Sequence, residues 1–428
     1  MIHKEQTLDS SHWYSSAIIR THLIYVISIF VLFFIPESSA FNNMSTNLYI
    51  ISDQSFVGDR NQLLGVARET EKYFKSKSVT INTQEYDISQ LQSLEEKIKN
   101  NNDLNILVSV GYYGINSIIK LKHDNKIAKK IIAVHLSHQL LDNRELSHQQ
   151  LIQNKSTDSF GADIVVLPSH VLDKESREKL TGVNTVLLPI TGVPHNLQIA
   201  DIDADYNKYK SQIPAHEKYL TVILAGDVPD GKNKYKCYNI QETEKLATYV
   251  SDIALQNNYF VLLTNGPRTG KYDCQTQNKR DVHSKNSTVD PVTSRFQQVL
   301  TEKNVPFKLF DFKLNQPNMY KAILGTVLHG NSSLILVPGE STSMISEVID
   351  TIKSKSIIVY YTSVMNDAHI KHVQQEFKDG RISVLDQDMH LQLNSHTQST
   401  PTTSAHDIAK AIYDVWQQST KNTISKDK

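Results

Sequence analysis

From Leu48 onward the chain alternates two patterns: short runs of consecutive apolar residues, and longer stretches whose apolar positions recur every three or four residues. The short runs are Leu48 to Ser52, Asn105 to Val110, Lys130 to Leu136, Ala162 to Pro168 and Thr185 to Ile190. Helical spacing runs from about Gln62 to Lys75 and again near Ile115 to Leu121. A strand that is apolar on both faces has to be covered on both, and strands that alternate with helices pair in parallel. The first half of the chain therefore predicts a doubly wound α/β domain.

The alternation returns with Leu220 to Gly226, a helix from Gln241 to Gln256, then Tyr259 to Asn265, Phe307 to Phe312, Ser333 to Pro338, a helix from Ser341 to Lys353, and Ser356 to Tyr361. Between the two series, Gln198 to Tyr219 is polar, weakly periodic and carries Pro214, which predicts an interdomain linker over residues 201–219. The polar insertion between Gly270 and Asp290 predicts a mobile surface loop, Gln392 to Ser404 a low-complexity linker, and Ala405 to Gln417 a last helix. The expected organisation is an N-terminal extension over residues 1–43, an α/β domain over 44–200, the linker, a second α/β domain over 220–390, and a linker with terminal helix over 391–428. Two doubly wound Rossmann-like domains in tandem face each other across a cleft, with ligand groups on the loops that follow the strands.

One run does not fit the alternation. Leu23 to Ile35 is continuously apolar, follows Arg20 and His22, and precedes Ser38-Ser39-Ala40. It has the length of a signal-peptide core and falls short of a span of about 20 apolar residues. Three readings stay open: a cleaved export signal, an anchor extended back to Ala17 that associates with a membrane, or an initiator at Met44 that leaves the protein in the cytoplasm.

Composition narrows the chemistry. Lys and Arg number 45, as do Asp and Glu, so no net field draws the protein to nucleic acid, and any anion site has to be local. Cys237 and Cys274 are the only cysteines, too few for a disulfide scaffold or a Cys-rich zinc site, and their pairing stays open. His135, His138 and His195 lack metal-ligand spacing, and neither a metal nor a cofactor is expected.

Three strand ends of the second series carry candidate groups. After Leu334 to Val337 come Gly339, Ser341, Thr342 and Ser343 at a helix start, with Glu347 further along. Free amides and the positive helix end there suit a phosphate, and Glu347 suits the diol of a ribose. Ser341 as a simple helix cap is the competing reading. Gly226, Lys234 and Lys236 follow another strand, and Arg268 and Thr269 a third, where cations could grip a diphosphate. On the first domain, Asp53 and Asp59 follow the first strand, where a base for an acceptor hydroxyl belongs; turn-forming and capping acids are the alternative.

Taken in order, Ser52 to Ala67, Leu107 to Gly114, Ala162 to Val171, Thr185 to Leu197, Thr221 to Asp227, Leu262 to Gly270 and Ile335 to Glu347 resemble the mitochondrial-fission elongated-mitochondria protein family. The resemblance covers Asn47 to about Leu385, with Ala225-Gly226 where the family has Gly-Gly and Pro267-Arg268 where it has paired basic residues. It implies a GT-B glycosyltransferase-like fold and a nucleotide diphosphate sugar bound on the second domain. It also implies the alternative of a non-catalytic scaffold that acts through protein partners, as plant members are associated with mitochondrial division.

Overall fold

The computed structural model describes residues 45–53, 56–137, 162–171, 185–231, 234–330, 332–352, 354–394 and 402–426. The apolar run at Leu23 to Ile35 and His138 lie outside these residues. Among the described residues no helix is long and apolar enough to cross a membrane.

The first domain runs β1 (Ser45–Ser52), α1 (Val57–Ser76), β2 (Thr80–Asp87), α2 (Leu91–Asn100), β3 (Asn105–Val110), α3 (Gly111–Lys122), the short α4 (Asn125–Ala128), β4 (Ile131–Leu136), β5 (Ile164–Pro168) and β6 (Val186–Ile190). Its six strands lie in the order β2-β1-β3-β4-β5-β6, with every pairing parallel. All six residues of β3 and of β4 are buried, as continuous apolar runs require of a sheet covered on both faces. Leu94, Ile98, Ile115 and Ile118 from α2 and α3 cover one face, and Leu63, Val66 and Phe74 from α1 the other.

The second domain runs α5 (Ile199–Tyr209), β7 (Tyr219–Ile223), a hairpin of β8 (Val228–Pro229) and β9 (Tyr235–Lys236), α6 (Ile240–Asn257), β10 (Phe260–Thr264), α7 (Pro291–Glu302), β11 (Phe307–Phe310), α8 (Tyr320–Leu328), β12 (Leu334–Pro338), α9 (Thr342–Thr351), β13 (Ile357–Tyr360), α10 (Asp367–Lys378), β14 (Ser383–Leu385) and β15 (Leu391–Gln392). The strand order is β11-β10-β7-β12-β13-β14-β15, parallel except for the last pair. Numbered within the domain, the first six strands read 3-2-1-4-5-6, the dinucleotide-fold order whose direction reverses between β7 and β12.

Three segments differ from the sequence expectation. Much of the stretch read as a linker is α5, which buries Ile202 beside Leu324 and Val327 of α8 and so belongs to the second domain. Only one residue of α5 is fully buried, too few to show as a periodic stripe. The insertion read as mobile is pinned: Arg280 donates to the Tyr272 carbonyl at 2.6 Å and pairs with Asp273 at 2.6 Å, and Lys313 donates to the Val282 carbonyl at 3.0 Å. Two of these bonds run from side chain to backbone and one joins side chains within the insertion, so a polar composition does not reveal them. Finally, α11 (Ser404–Lys426) crosses back to the first domain, where Ile408, Ile412 and Trp416 join the core under α1.

Candidate functional site

The strands of the second sheet end along one edge, and α9 starts immediately after β12. Asn239, Asp290 and Asn366 each cap the helix that follows with a side-chain bond, but Ser341, the N-cap of α9, makes none. Its own amide bonds the Pro338 carbonyl at 3.2 Å. The amides of the first turn thus keep their donor capacity and the positive end of the helix dipole, the usual makings of an anion site.

Beneath this turn Glu340 is buried. One carboxylate oxygen accepts the Gly226 amide at 2.7 Å and the other has no hydrogen-bond partner. Burial pushes its carboxyl up to about 7, against the opposing pull of that amide and of nearby Arg268.

A cavity of about 580 Å³ lies between the domains, lined by Asn61 of α1 and by Tyr320, Ser341, Ser343 and Glu347 of the second domain. Glu347 accepts from the Tyr320 hydroxyl at 3.0 Å and from the Asn61 amide at 3.3 Å, the latter bond crossing between domains. Burial raises the Glu347 carboxyl above its usual range, while His195 and these two donors pull it back. The loop after β10 is held by Asn265, whose amide nitrogen donates to Asp290, Thr293 and Asp311 while its oxygen accepts the Phe312 amide.

Beyond the helix end the cleft turns basic. Arg268 is half-buried, forms no ion pair among the described residues, and packs its Cβ against Gly226. His369 in the first turn of α10 accepts the Asn366 amide on Nδ1 at 3.2 Å, which leaves the ring proton on Nε2. Burial, then Arg268, His170 and Lys236, push this imidazole down to about 4. His170 comes from the first domain, with its ring centroid 5.5 Å from that of His372. Arg268 and Lys236 bring positive charge to this region, with Glu340 near the first and Asp230 4.0 Å from the second.

Contacts along α9 set the angle between the domains. The Val193 amide donates to Ser346 Oγ at 2.8 Å, and His195 Nε2 meets Asp350 at 3.0 Å.

The predicted residues divide. Ser341, Ser343 and Glu347 line the cavity and Thr342 lies between the first two in the chain; Arg268 does not line it but follows Pro267, which does, and acts on Glu340. Lys236 is in loose contact with Asp230 at 4.0 Å, yet close enough to act on His369. Lys234 is exposed on the β8–β9 hairpin. Three of the predicted residues have packing roles. A β-carbon at Gly226 would meet Arg268 at 2.7 Å, and its amide is already used by Glu340. A β-carbon at Gly339 would meet the Met365 sulfur at 2.6 Å. Thr269 is buried, with its hydroxyl accepting the Gly266 amide at 3.0 Å. A glycine in a turn reads the same from sequence whether backbone or ligand approaches it. Asp53 and Asp59, half-buried on the loop after β1 and in the first turn of α1, do not line the cavity. Tyr320 and His369 escape sequence reasoning because each lies on an element with no motif of its own, and Asn61 and His170 because nothing local sets them apart within the segments that carry the resemblance.

Two doubly wound domains, a cleft at the reversal of the second sheet and a C-terminal helix returning to the first domain define a GT-B-like protein. Residues 57–416 match the family described as mitochondrial fission ELM1, and the chain belongs to that family. A search of curated proteins gives no match. Among solved structures the chain is similar to the catalytic domain of Arabidopsis thaliana starch synthase IV bound to ADP and acarbose, at 8% identity and TM-score 0.42 over 88% of this chain and 99% of that one. It is also similar to Neisseria meningitidis UDP-GlcNAc 2-epimerase bound to UDP-GlcNAc, at 10% identity and TM-score 0.40 over 88% and 100%. A third is the alpha,alpha-trehalose 6-phosphate synthase of Burkholderia multivorans, at 8% identity and TM-score 0.40 over 87% and 88%.

Proposed function

We propose that the cleft binds a nucleoside diphosphate sugar and that the protein transfers the sugar to an acceptor held on the first domain. One observation carries this reading: the uncapped first turn of α9 opens toward the interdomain cavity with Arg268 beyond it and Glu347 one and a half turns in. The diphosphate lies across the amides of Thr342 and Ser343 and within reach of Arg268, whose charge offsets that developing on the leaving group. Glu347, already oriented by Tyr320 and Asn61, accepts from the ribose diol. An acceptor oxygen bonds to the anomeric carbon as its bond to the diphosphate breaks, and the acceptor proton passes to Asp53 or Asp59.

A second reading, a cleft that binds the nucleotide without turnover, is favoured by the absence of both aspartates from the cavity lining. Thermal unfolding across uridine, guanosine and cytidine diphosphate sugars tests binding. A ligand at ~100 times its Kd adds about 2.7 kcal/mol to stability. The expected result is a shift with one nucleotide that Arg268→Ala combined with Glu347→Gln removes; no shift with any nucleotide, or one indifferent to the substitutions, overturns the reading. Release of free nucleotide from the shifting donor in the presence of acceptor separates transfer from binding alone.

A further inference from the structure

The donor reading leaves the reversal point of the first sheet unused. Its strand order turns between β1 and β3, and ligands of open parallel sheets lie in the crevice outside such a pair. Each of these two strands is followed by an aromatic ring: Phe56 just before α1 and Tyr113 in the first turn of α3. The two are 49% and 50% exposed, with ring centroids 6.3 Å apart and planes inclined by 32°. Half-exposed rings that pack on each other form an apolar platform at the mouth of the crevice.

The platform has a polar border and a path to the donor pocket. The Asp53 carbonyl accepts the Phe56 amide at 3.0 Å, so this acid belongs to the same turn as the first ring. Asp59 Oδ2 would lie 3.3 Å from a β-carbon on Gly111, beside the start of the helix that carries the second ring. Gly58, between Phe56 and Asp59, lines the interdomain cavity and would offer its own β-carbon open space.

We infer that Phe56 and Tyr113 form the acceptor subsite and that the acceptor presents a pyranose ring there. This rests on the cleft's reading as a donor site. A pyranose has a face of C–H bonds that lies on aromatic carbon and an edge of hydroxyls that donate to carboxylates, the combination of surfaces assembled here. A membrane surface suits the rings less. The charged groups on the two turns are Asp53 and Asp59, and Arg60, the cation nearest Phe56 in the chain, is tied to Glu85 by contacts of 2.6 and 2.8 Å, a setting that does not favour anionic lipid.

Saturation-transfer NMR on the full chain with neutral oligosaccharides (maltotetraose, cellotetraose and chitotetraose) tests the subsite. The expected result is transfer to at least one of them, with binding weakened about tenfold by Phe56→Ala and by Tyr113→Ala, while both variants keep the wild-type melting temperature and nucleotide response. Failure of all three to bind, binding unchanged in the double variant, or ring-dependent sedimentation with phosphatidylcholine vesicles in place of saccharide binding would overturn the inference. Ring-dependent saccharide binding without any nucleotide shift would overturn the donor reading and leave this subsite standing. A nucleotide shift without saccharide binding would do the reverse.

Discussion

Glu340 takes a carboxyl group into the interior with one oxygen bonded to the Gly226 amide and the other without a partner. A carboxyl raised from 4.5 to about 7 by burial keeps more protons folded than unfolded across that interval. Folding stability from this group is therefore fully present below about pH 4.5 and is lost as pH rises through about 7, by an amount on the order of 3 kcal/mol. Glu340→Gln keeps an oxygen for the Gly226 amide and removes the titration. In urea unfolding at pH 5 the variant is expected to match the native protein, and at pH 8 to exceed it by up to that amount; equal stabilities at pH 8 would contradict the assignment. Glu376, also pushed up to about 7 by burial, is common to both proteins and cancels in the comparison. The acid was visible in the sequence next to the serines, but its burial was not, because nothing local distinguishes a carboxylate under a helix end from one in solvent.

At the scale of elements, strands were the most legible feature, since β3, β4 and β12 are apolar runs that the fold buries nearly whole. The destination of α11 was not. Its apolar spacing identifies a helix, yet the surface it covers lies more than 300 residues earlier, where Phe74 of α1 meets Tyr413 at 5.0 Å and Trp416 at 5.3 Å between ring centroids. Trp416 is 1% exposed, so Trp416→Ala should cost about 3–5 kcal/mol and lower the melting temperature of the first domain. A fall of well under 1 kcal/mol in denaturant unfolding would show that α11 is not part of that core. The α5 and α8 helices make a similar point: a β-carbon on Gly325 would meet the Tyr206 side chain at 2.6 to 2.8 Å, and the close approach that glycine permits joins a weakly periodic helix to its domain.

For the molecule as a whole, function depends on how the two domains meet. Asn61 to Glu347, Val193 to Ser346 and His195 to Asp350 are all bonds between side chains or backbone groups far apart in the chain, and all three run along α9. Ser346→Ala with Asp350→Ala removes the last two without touching the cavity lining. The expected outcome is a larger radius of gyration by small-angle scattering and donor binding weakened several-fold, because each lost hydrogen bond costs roughly 1 kcal/mol and the open form holds only half of the site. An unchanged radius with unchanged affinity would show that these bonds do not hold the closed form. The sequence by itself determined the two α/β series, the strands and most helices, and that Ser341, Ser343, Glu347 and Arg268 follow strand ends of the second series, because apolar periodicity and position after a strand are local properties. Only the tertiary structure decided that Gly226 and Gly339 serve packing, that α9 is left uncapped, and that Phe56 stands beside Tyr113. Those facts depend on which groups from distant parts of the chain fill the neighbouring space, and no local pattern records that.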